Sequence, residues 1–506
     1  CRYRKRHGSA AEYQDTATTC SDCGASLIEV ADAAPAAPAS TATSARVRAG
    51  SGPWGKLGVT VACCGLYLLG TLAPLPGTWE LQRSLSSSGG LLALFNVAVS
   101  SPQLSLMALG FAPILSAFVL VELAAVVVPG WRSLRIGGPQ GRAMLRRWVI
   151  AIAALLAFVQ SVGIANYLRD LGGRGLGHGF FPGALAVRPW VPWAAVILLP
   201  LGTLLFALLA AAIDRWGLGH GFSCLLLASV LPALAWGALQ SAYQVRGSES
   251  EPGLVFLGIL AIAACLLVAF ALLRRGPFRL EPKPFAPEIP PSGMDPVTVT
   301  ASLLLFPTTV AMFFGSSFDV RDFDWLAVGV VELLLVGSLS VALSVLYNQP
   351  RRVAQLWFGH AASESEIGAV RAQVANAALR GTALLLALRS TVVLLPFFNF
   401  PLVMDLTVLV VGTAVVLDLA KEWRFRQAHP ELARAWPVHR VYAVQPALQA
   451  LQAAGIPAFP RGLHHRTLLQ LFGPYVPVTL LVPEEKAEEA ERVVGARLAD
   501  PRDRTP

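Results

Sequence analysis

The chain has 506 residues, 55% of them hydrophobic and only 14% charged. A soluble globular domain carries about a quarter charged residues, so the composition excludes one and points to a polytopic membrane protein. The formal net charge is +9. No basic patch with interleaved aromatics accompanies it, which excludes a nucleic-acid partner.

In chain order, residues 1–27 come first and contain Cys20-Ser-Asp-Cys23-Gly, with Cys1 upstream. A C-x2-C pair supplies two of the four ligands that tetrahedral zinc takes. Cys1, Cys20 and Cys23 are therefore the expected metal ligands of a zinc-ribbon-like segment, with zinc as cofactor. The fourth ligand is expected upstream of Cys1 or at His7. Three free thiols in a reducing compartment are the other reading, and a disulfide is disfavoured there. Cys63, Cys64, Cys224 and Cys265 fall in apolar runs and read as core. Residues 28–54, rich in Ala, Pro, Ser and Thr, read as a flexible linker. No signal peptide is expected, because the first apolar run opens only near Leu57.

Ten apolar spans are predicted, near 57–75, 107–129, 145–166, 189–213, 220–240, 254–273, 296–314, 325–346, 378–396 and 402–420. Arginines and lysines gather in alternate loops: Arg132 to Arg147, Arg274 to Lys283, Arg351 to Arg380, and Lys421 to Arg426. That bias places both termini in the cytoplasm, and an even number of spans agrees. Ten spans divide into two halves of five, an odd number that makes the halves inverted relative to each other. No sequence identity links them.

The C-terminal residues 437–498 alternate in period. Val441–Val444 and Val476–Val482 read as strands, Gln445–Ala453 and Glu484–Arg497 as helices, giving a small α/β domain. "LQAAGIPAF", "LFGP" and "TLLVPEEKAEEAERV" resemble a bacterial family of signal-transducing domains. His464 and His465 invite a ligand-site reading, but adjacent loop histidines are expected to be solvated.

The span from Ala108 to Pro129, "ALGFAPILSAFVLVELAAVVVP", holds Pro113, Ser116 and Glu122. A plain anchor needs none of them. With the preceding "GGLLALFN", this stretch resembles SecY, the channel subunit of the general protein-secretion translocon. "GRAMLRRWVIAIAALLAFVQSVGIA" is similar to that family's third span, "GTLLFALLAAAIDRWGLGHGFSCLLLASVLP" to its fourth span and the turn into its fifth, "ASLLLFPTTVAMFFG" to its seventh and "VLDLAKEW" to the end of its tenth. The ordered motifs cover about residues 55–425.

The resemblance implies a plug over about Leu91–Leu104 and a pore-lining half-helix after Pro113; an ordinary proline kink is the alternative. It implies an apolar pore ring at Phe111, Leu115, Phe222, Leu226, Thr298 and Val411, with Val297 or Val299 as alternatives of register to Thr298. It implies a lateral gate at Ser116, Gln160, Ser302 and Phe306, where simple helix-packing polarity is the other explanation. Glu122 should face protein or water, since a charge at mid-bilayer costs about 2.5–3.5 kcal/mol on insertion scales.

Three departures stand out. The loop after span six is short, and the loop after span eight lacks the family's G-I-R-P-G, leaving Arg351 and Arg352 as the loop contacts. Glu332 and Arg389 stand where the family is apolar, and could pair with each other. The resulting expectation is an all-α, ten-helix membrane protein of the bacterial inner membrane, with the added α/β domain, and not an enzyme. Its function would be a polypeptide-conducting channel, or a specialised paralogue of one. A secondary transporter using Glu122, Glu332 or Arg389, and a non-conducting scaffold, are the alternatives. The implied partners are a SecE-like small membrane subunit, membrane lipid and a translocating polypeptide, with weak binding to ribosome or SecA.

Overall fold

The computed structural model describes residues 52–78, 105–136, 138–173, 188–229, 291–313, 325–358, 362–394, 406–472 and 476–498. Cys1, Cys20, Cys23, His7, the linker up to Ser51, the expected plug and the sixth predicted span lie outside them.

The helices are α1 (Pro53–Leu72), α2 (Ala112–Val127), α3 (Pro129–Ile136), α4 (Gly138–Gly173), α5 (Val191–Trp216), α6 (Asp295–Phe313), α7 (Trp325–Tyr347), α8 (Pro350–Phe358), α9 (Glu364–Leu394) and α10 (Leu406–Ala428). Residues 221–229 are also helical. Among the described residues four helical stretches are long and apolar enough to cross a membrane: Pro53–Leu72, Met144–Asn166, Val191–Trp216 and Ala327–Tyr347. α2 packs along α4, α4 along α5, and α7 along α9, while α6 packs on α2, α4 and α7.

The termini of several helices differ from the sequence expectation, for local reasons. α2 starts at Ala112, so Pro113 sits in its first turn, where a missing N–H leaves no intrahelical bond unmade. Pro113 thus opens a helix and does not kink one. α9 starts at Glu364, well before 378, because Ser363 and Glu366 form a reciprocal cap. The Glu366 N–H donates to Ser363 Oγ and the Ser363 N–H to Glu366 Oε2 (3.3 and 2.8 Å). α10 runs to Ala428, beyond the span end near 420. Its last turns bring Asp418, Glu422 and Arg426 onto one face by the i,i+4 period.

A second unit follows α10. Strands β1 (Leu432–Val438), β2 (Phe459–Arg461) and β3 (Val478–Pro483) form an antiparallel sheet in the order β1-β3-β2. Helices α11 (Val441–Ala453), α12 (Leu463–Leu468) and α13 (Ala487–Leu498) complete it. The apolar "VTLLVP" takes the central strand, while Pro437 and Pro460 lie on the two edge strands, where a missing donor is tolerated. The unit begins at Leu432, earlier than the expected 437. Val441–Val444, expected as a strand, is the first turn of α11. All four residues are buried, between the sheet and the α8–α9 hairpin, so burial on every side erased the helical period.

This sheet domain is not a free appendage. Val353 and Ala354 of α8, and Ile367, Val370 and Val374 of α9, share one apolar cluster with Val444, Ala447 and Leu451 of α11 and with Val478, Leu480 and Val482 of β3.

Candidate functional site

Four elements converge at the middle of the helical bundle. Phe111 precedes the first residue of α2 and is buried, with Leu115 one turn on. Phe222 and Leu226 come from the helical run 221–229, and Val411 from α10. Phe111, Phe222 and Leu226 are members of one apolar cluster, and Leu115 and Val411 pack against it. Thr298 is half-buried, whereas Val299 belongs to the cluster and Val297 packs on it. The rings of Phe111, Phe206 and Phe222 stand 5.8 to 6.0 Å apart. Phe206 on α5 was not singled out in the sequence, because nothing distinguishes it from other apolar residues of that span.

The turn entering 221–229 is fixed from several sides. Gly219 has φ +77°, a left-handed conformation that disfavours a side chain. Thr60 of α1 both accepts from the Leu218 N–H (2.8 Å) and donates to its carbonyl (2.9 Å). The Gly221 N–H donates to Asp214 Oδ1 at 2.8 Å.

The expected gate residues are distributed across α2, α4 and α6. Ser116 and Ser302 are half-buried, and Gln160 is buried with no hydrogen-bond partner for its Oε1 among the described residues. The Phe306 side chain lies outside the described residues. Glu122 is 3% exposed and faces protein. Glu332 and Arg389 do meet: Arg389 Nε donates to Glu332 Oε1 at 2.5 Å, joining α7 to α9. Breaking one partner of so buried a pair leaves an uncompensated charge.

Arg351 and Arg352 are exposed on α8. Arg351 approaches Glu364 at 3.9 Å, a solvated pair.

The unexpected part of the site is where residues 461–472 lie. His464 and His465, expected in solvent, are buried. α12 follows Gly462, which has no side chain to cap it, and Asp418 of α10 supplies the missing acceptor. His464 N–H donates to Asp418 Oδ1 (3.2 Å) and His465 N–H to Oδ2 (3.0 Å). A helix cap of this kind is worth about 0.5–2 kcal/mol. The His464 ring adds a 2.5 Å contact from Nδ1 to Asp418 Oδ1, and its Nε2 lies 3.0 Å from Lys421 Nζ. Glu422 takes a second anchor: Arg461 Nε stands 3.3 Å from Oε2, which also accepts the Gly219 N–H (3.1 Å), while Arg426 donates to Oε1 (2.8 Å). Arg461 further donates to the Gly219 carbonyl.

Beyond α12 the chain meets the start of α6. Met294 N–H donates to the Leu468 carbonyl at 2.6 Å, and Leu471 N–H to Asp295 Oδ2 at 2.6 Å. Gly293, with φ +66°, admits this approach; a Cβ there would lie 2.2 Å from the Leu468 oxygen. Leu468, Leu469 and Leu471 join the very cluster that holds Phe111, Phe222 and Leu226. The His465 ring sits 6.4 Å from that of Phe222 and stacks on His220 at 6.4 Å. Burial, with His220 and Arg466 nearby, pushes the His465 pKa well below the usual imidazole range. Burial also pushes Arg466 down to about 10, against the opposing charges of Asp295 and Glu122.

Among the described residues no group of three His, Cys, Asp or Glu side chains is placed to hold an ion. Two signals in the sequence could have marked this interface. Asp418 and Glu422 lie four apart across the end of an apolar span, and "LLQLF" follows the histidines where a solvated loop would be polar.

With this geometry in hand, the comparisons with known proteins fall into place. The family model for SecY matches residues 105–417. Protein translocase subunit SecY of Vibrio cholerae is 27% identical over 290 residues, covering 52% of this chain and 62% of that protein. The subunit of the same name from Escherichia coli K12 is 25% identical over 285 residues, covering 52% and 61%. The chain thus spans 61–62% of the length of these relatives. A solved structure of a protein conducting channel superposes at TM-score 0.49 and 13% identity, over 74% of this chain and 93% of that one. Sec61 in the canine ribosome-channel complex gives 0.48 and 13%, with the same coverage. The matched segment is more than half of the chain and carries most of the apolar cluster, including Phe111, Phe222 and Leu226: the chain belongs to the SecY family.

Proposed function

We propose that this protein is a SecY-type polypeptide-conducting channel subunit, specialised by its two appended segments. The observation that carries the reading is the convergence of Phe111, Leu115, Phe222, Leu226, Val299 and Val411 from four elements on one apolar cluster. An apolar constriction resists wetting, so it can hold back ions without a charged gate. In this reading ten spans form two inverted halves in the bacterial inner membrane, with both termini and the sheet domain on the cytosolic face. Gln160, Ser116, Ser302 and Phe306 line the lateral seam, and a SecE-like subunit braces the bundle. The passing ligand is an unfolded polypeptide, and no residue is assigned a catalytic role.

Ribosome or SecA attachment is expected to be weak. An apolar face of the α8–α9 hairpin is occupied by the chain's own sheet domain, which leaves the exposed arginines Arg351, Arg352, Arg371 and Arg380 for a charged, salt-sensitive contact. The transporter alternative loses two of its three charged candidates, since Glu332 and Arg389 engage each other. The non-conducting scaffold is the second reading, favoured by the three leucines of the sheet domain packed into the cluster.

Single-channel recording separates the two. Leu115→Asn and Leu226→Asn, reconstituted in planar bilayers, should conduct measurably above the silent parent. Well-folded variants that stay silent, even with the sheet domain displaced, would leave the scaffold. The N-terminal Cys1, Cys20 and Cys23 are proposed to hold zinc. Metal analysis of the purified chain should return about one equivalent, and less than about a tenth would refute it.

A further inference from the structure

The cluster that forms the constriction does not end within the bundle. Its sheet-domain side is completed by Leu468, Leu469 and Leu471, all buried, on the segment that follows β2. That segment is held by four kinds of contact with helices on both sides of the cluster. Asp418 of α10 accepts two backbone amides. Glu422 of the same helix faces Arg461. The strand-like residues 293–294 before α6 bond Leu468. The 3-10 turn Gln470–Phe472 packs on α2, the helix that begins at the constriction. The segment therefore bridges α2, α6 and α10 across one end of the apolar cluster.

We propose that residues 461–472 are a gate in cis: they close the sheet-domain mouth of the constriction, and a polypeptide passes only when they leave it. The inference rests on the channel reading above, and goes beyond it in assigning closure to a segment outside the spanning helices. A segment serving only to attach the domain would not need its leucines inside the cluster, since the α8–α9 contact already holds the domain through a separate core. The lock is also left deliberately incomplete. Both ring nitrogens of His465 and the Nε of Arg466 are buried, with no hydrogen-bond partner among the described residues. Each such group would regain water on release, so the closed state is less favourable than its contact area suggests. The α8–α9 core lets the segment detach while the domain stays tethered.

The test uses the full chain in lipid nanodiscs and planar bilayers. Two variants loosen the segment in different ways. Asp418→Ala removes the acceptor of two α12 amides, and Leu471→Asp puts a carboxylate beside Asp295. Hydrogen–deuterium exchange reports release directly. Peptide 463–472 should exchange at least about tenfold faster in each variant, while β3, 478–483, keeps its parental rate because the domain stays folded. Combined with Leu226→Asn, each should raise conductance about tenfold or more over Leu226→Asn alone. Faster exchange with an unchanged, non-zero Leu226→Asn conductance would overturn the gate and leave the channel standing. Faster exchange with silence in every variant would overturn the channel and the gate with it. Parental exchange in both loosened variants would show that these contacts do not hold the segment, and would also overturn the gate.

Discussion

Two neighbouring regions of this molecule are held together by opposite means. The cluster around Phe111, Phe222 and Leu226 is held by the packing of apolar side chains. The interface a turn away, between α10 and residues 461–472, is built from Asp418, Glu422, Arg461 and backbone amides. Apolar packing is non-directional and degrades gradually when a residue shrinks. A buried polar contact needs its partner at a fixed distance and angle, and fails as a whole when one group is lost. On the gate proposed above, the apolar cluster adapts and the polar interface switches.

The strongest way to break the comparison is Glu422→Ala. It strands the buried Arg461 and Arg426 and should cost about 3–5 kcal/mol. Thermal unfolding in detergent together with exchange mapping should place most of that loss at 461–472. A loss spread evenly over the bundle would erase the distinction between the two regions.

Leu226→Ala is the counterpart. It should cost about 2–4 kcal/mol by leaving a cavity, yet exchange at 463–472 should stay parental. Release of the segment by this change would mean that the apolar cluster, and not the polar contacts, holds it in place.

A pH step sharpens the contrast further. His465 is docked neutral, with its pKa depressed by burial and by the facing His220 and Arg466. Once released it regains an ordinary value of about 6.5. The released form therefore takes up a proton that the docked form refuses. Docking is at full strength above about pH 6.5 and weakens as pH falls toward the docked value, by up to about tenfold per unit. Exchange at 463–472, corrected for intrinsic rates, should speed up between pH 7.5 and pH 5.5, conditions chosen on either side of about 6.5. His465→Phe should lose that step; a step that persists there would assign it to another group.

The smallest effect is expected at the exposed Arg351. Its pair with Glu364 is solvated on both sides, so Arg351→Ala should change stability by less than about 0.5 kcal/mol. A change above about 1 kcal/mol would show that the outer face of α8 bears on the sheet-domain contact.

Much of this was legible in the sequence because it rests on local chemistry. Apolar length marked the four described helices long enough to cross a membrane, and the ordered motifs from Ala108 onward marked the family. Glu332 and Arg389 stood out as charges in apolar runs, and burial in a membrane forces such charges to find each other. The central strand Val478–Pro483 and the final helix followed from period and composition. What the sequence could not decide was contact between distant segments. Val441–Val444 read as a strand because tertiary burial on every side removed the helical stripe. His464 and His465 read as solvated because the acceptor that buries them, Asp418, lies 46 and 47 residues away. Local pattern can say that a residue needs a partner, but only the fold brings two distant segments within hydrogen-bonding distance. Here that contact seats residues 461–472 against the apolar cluster.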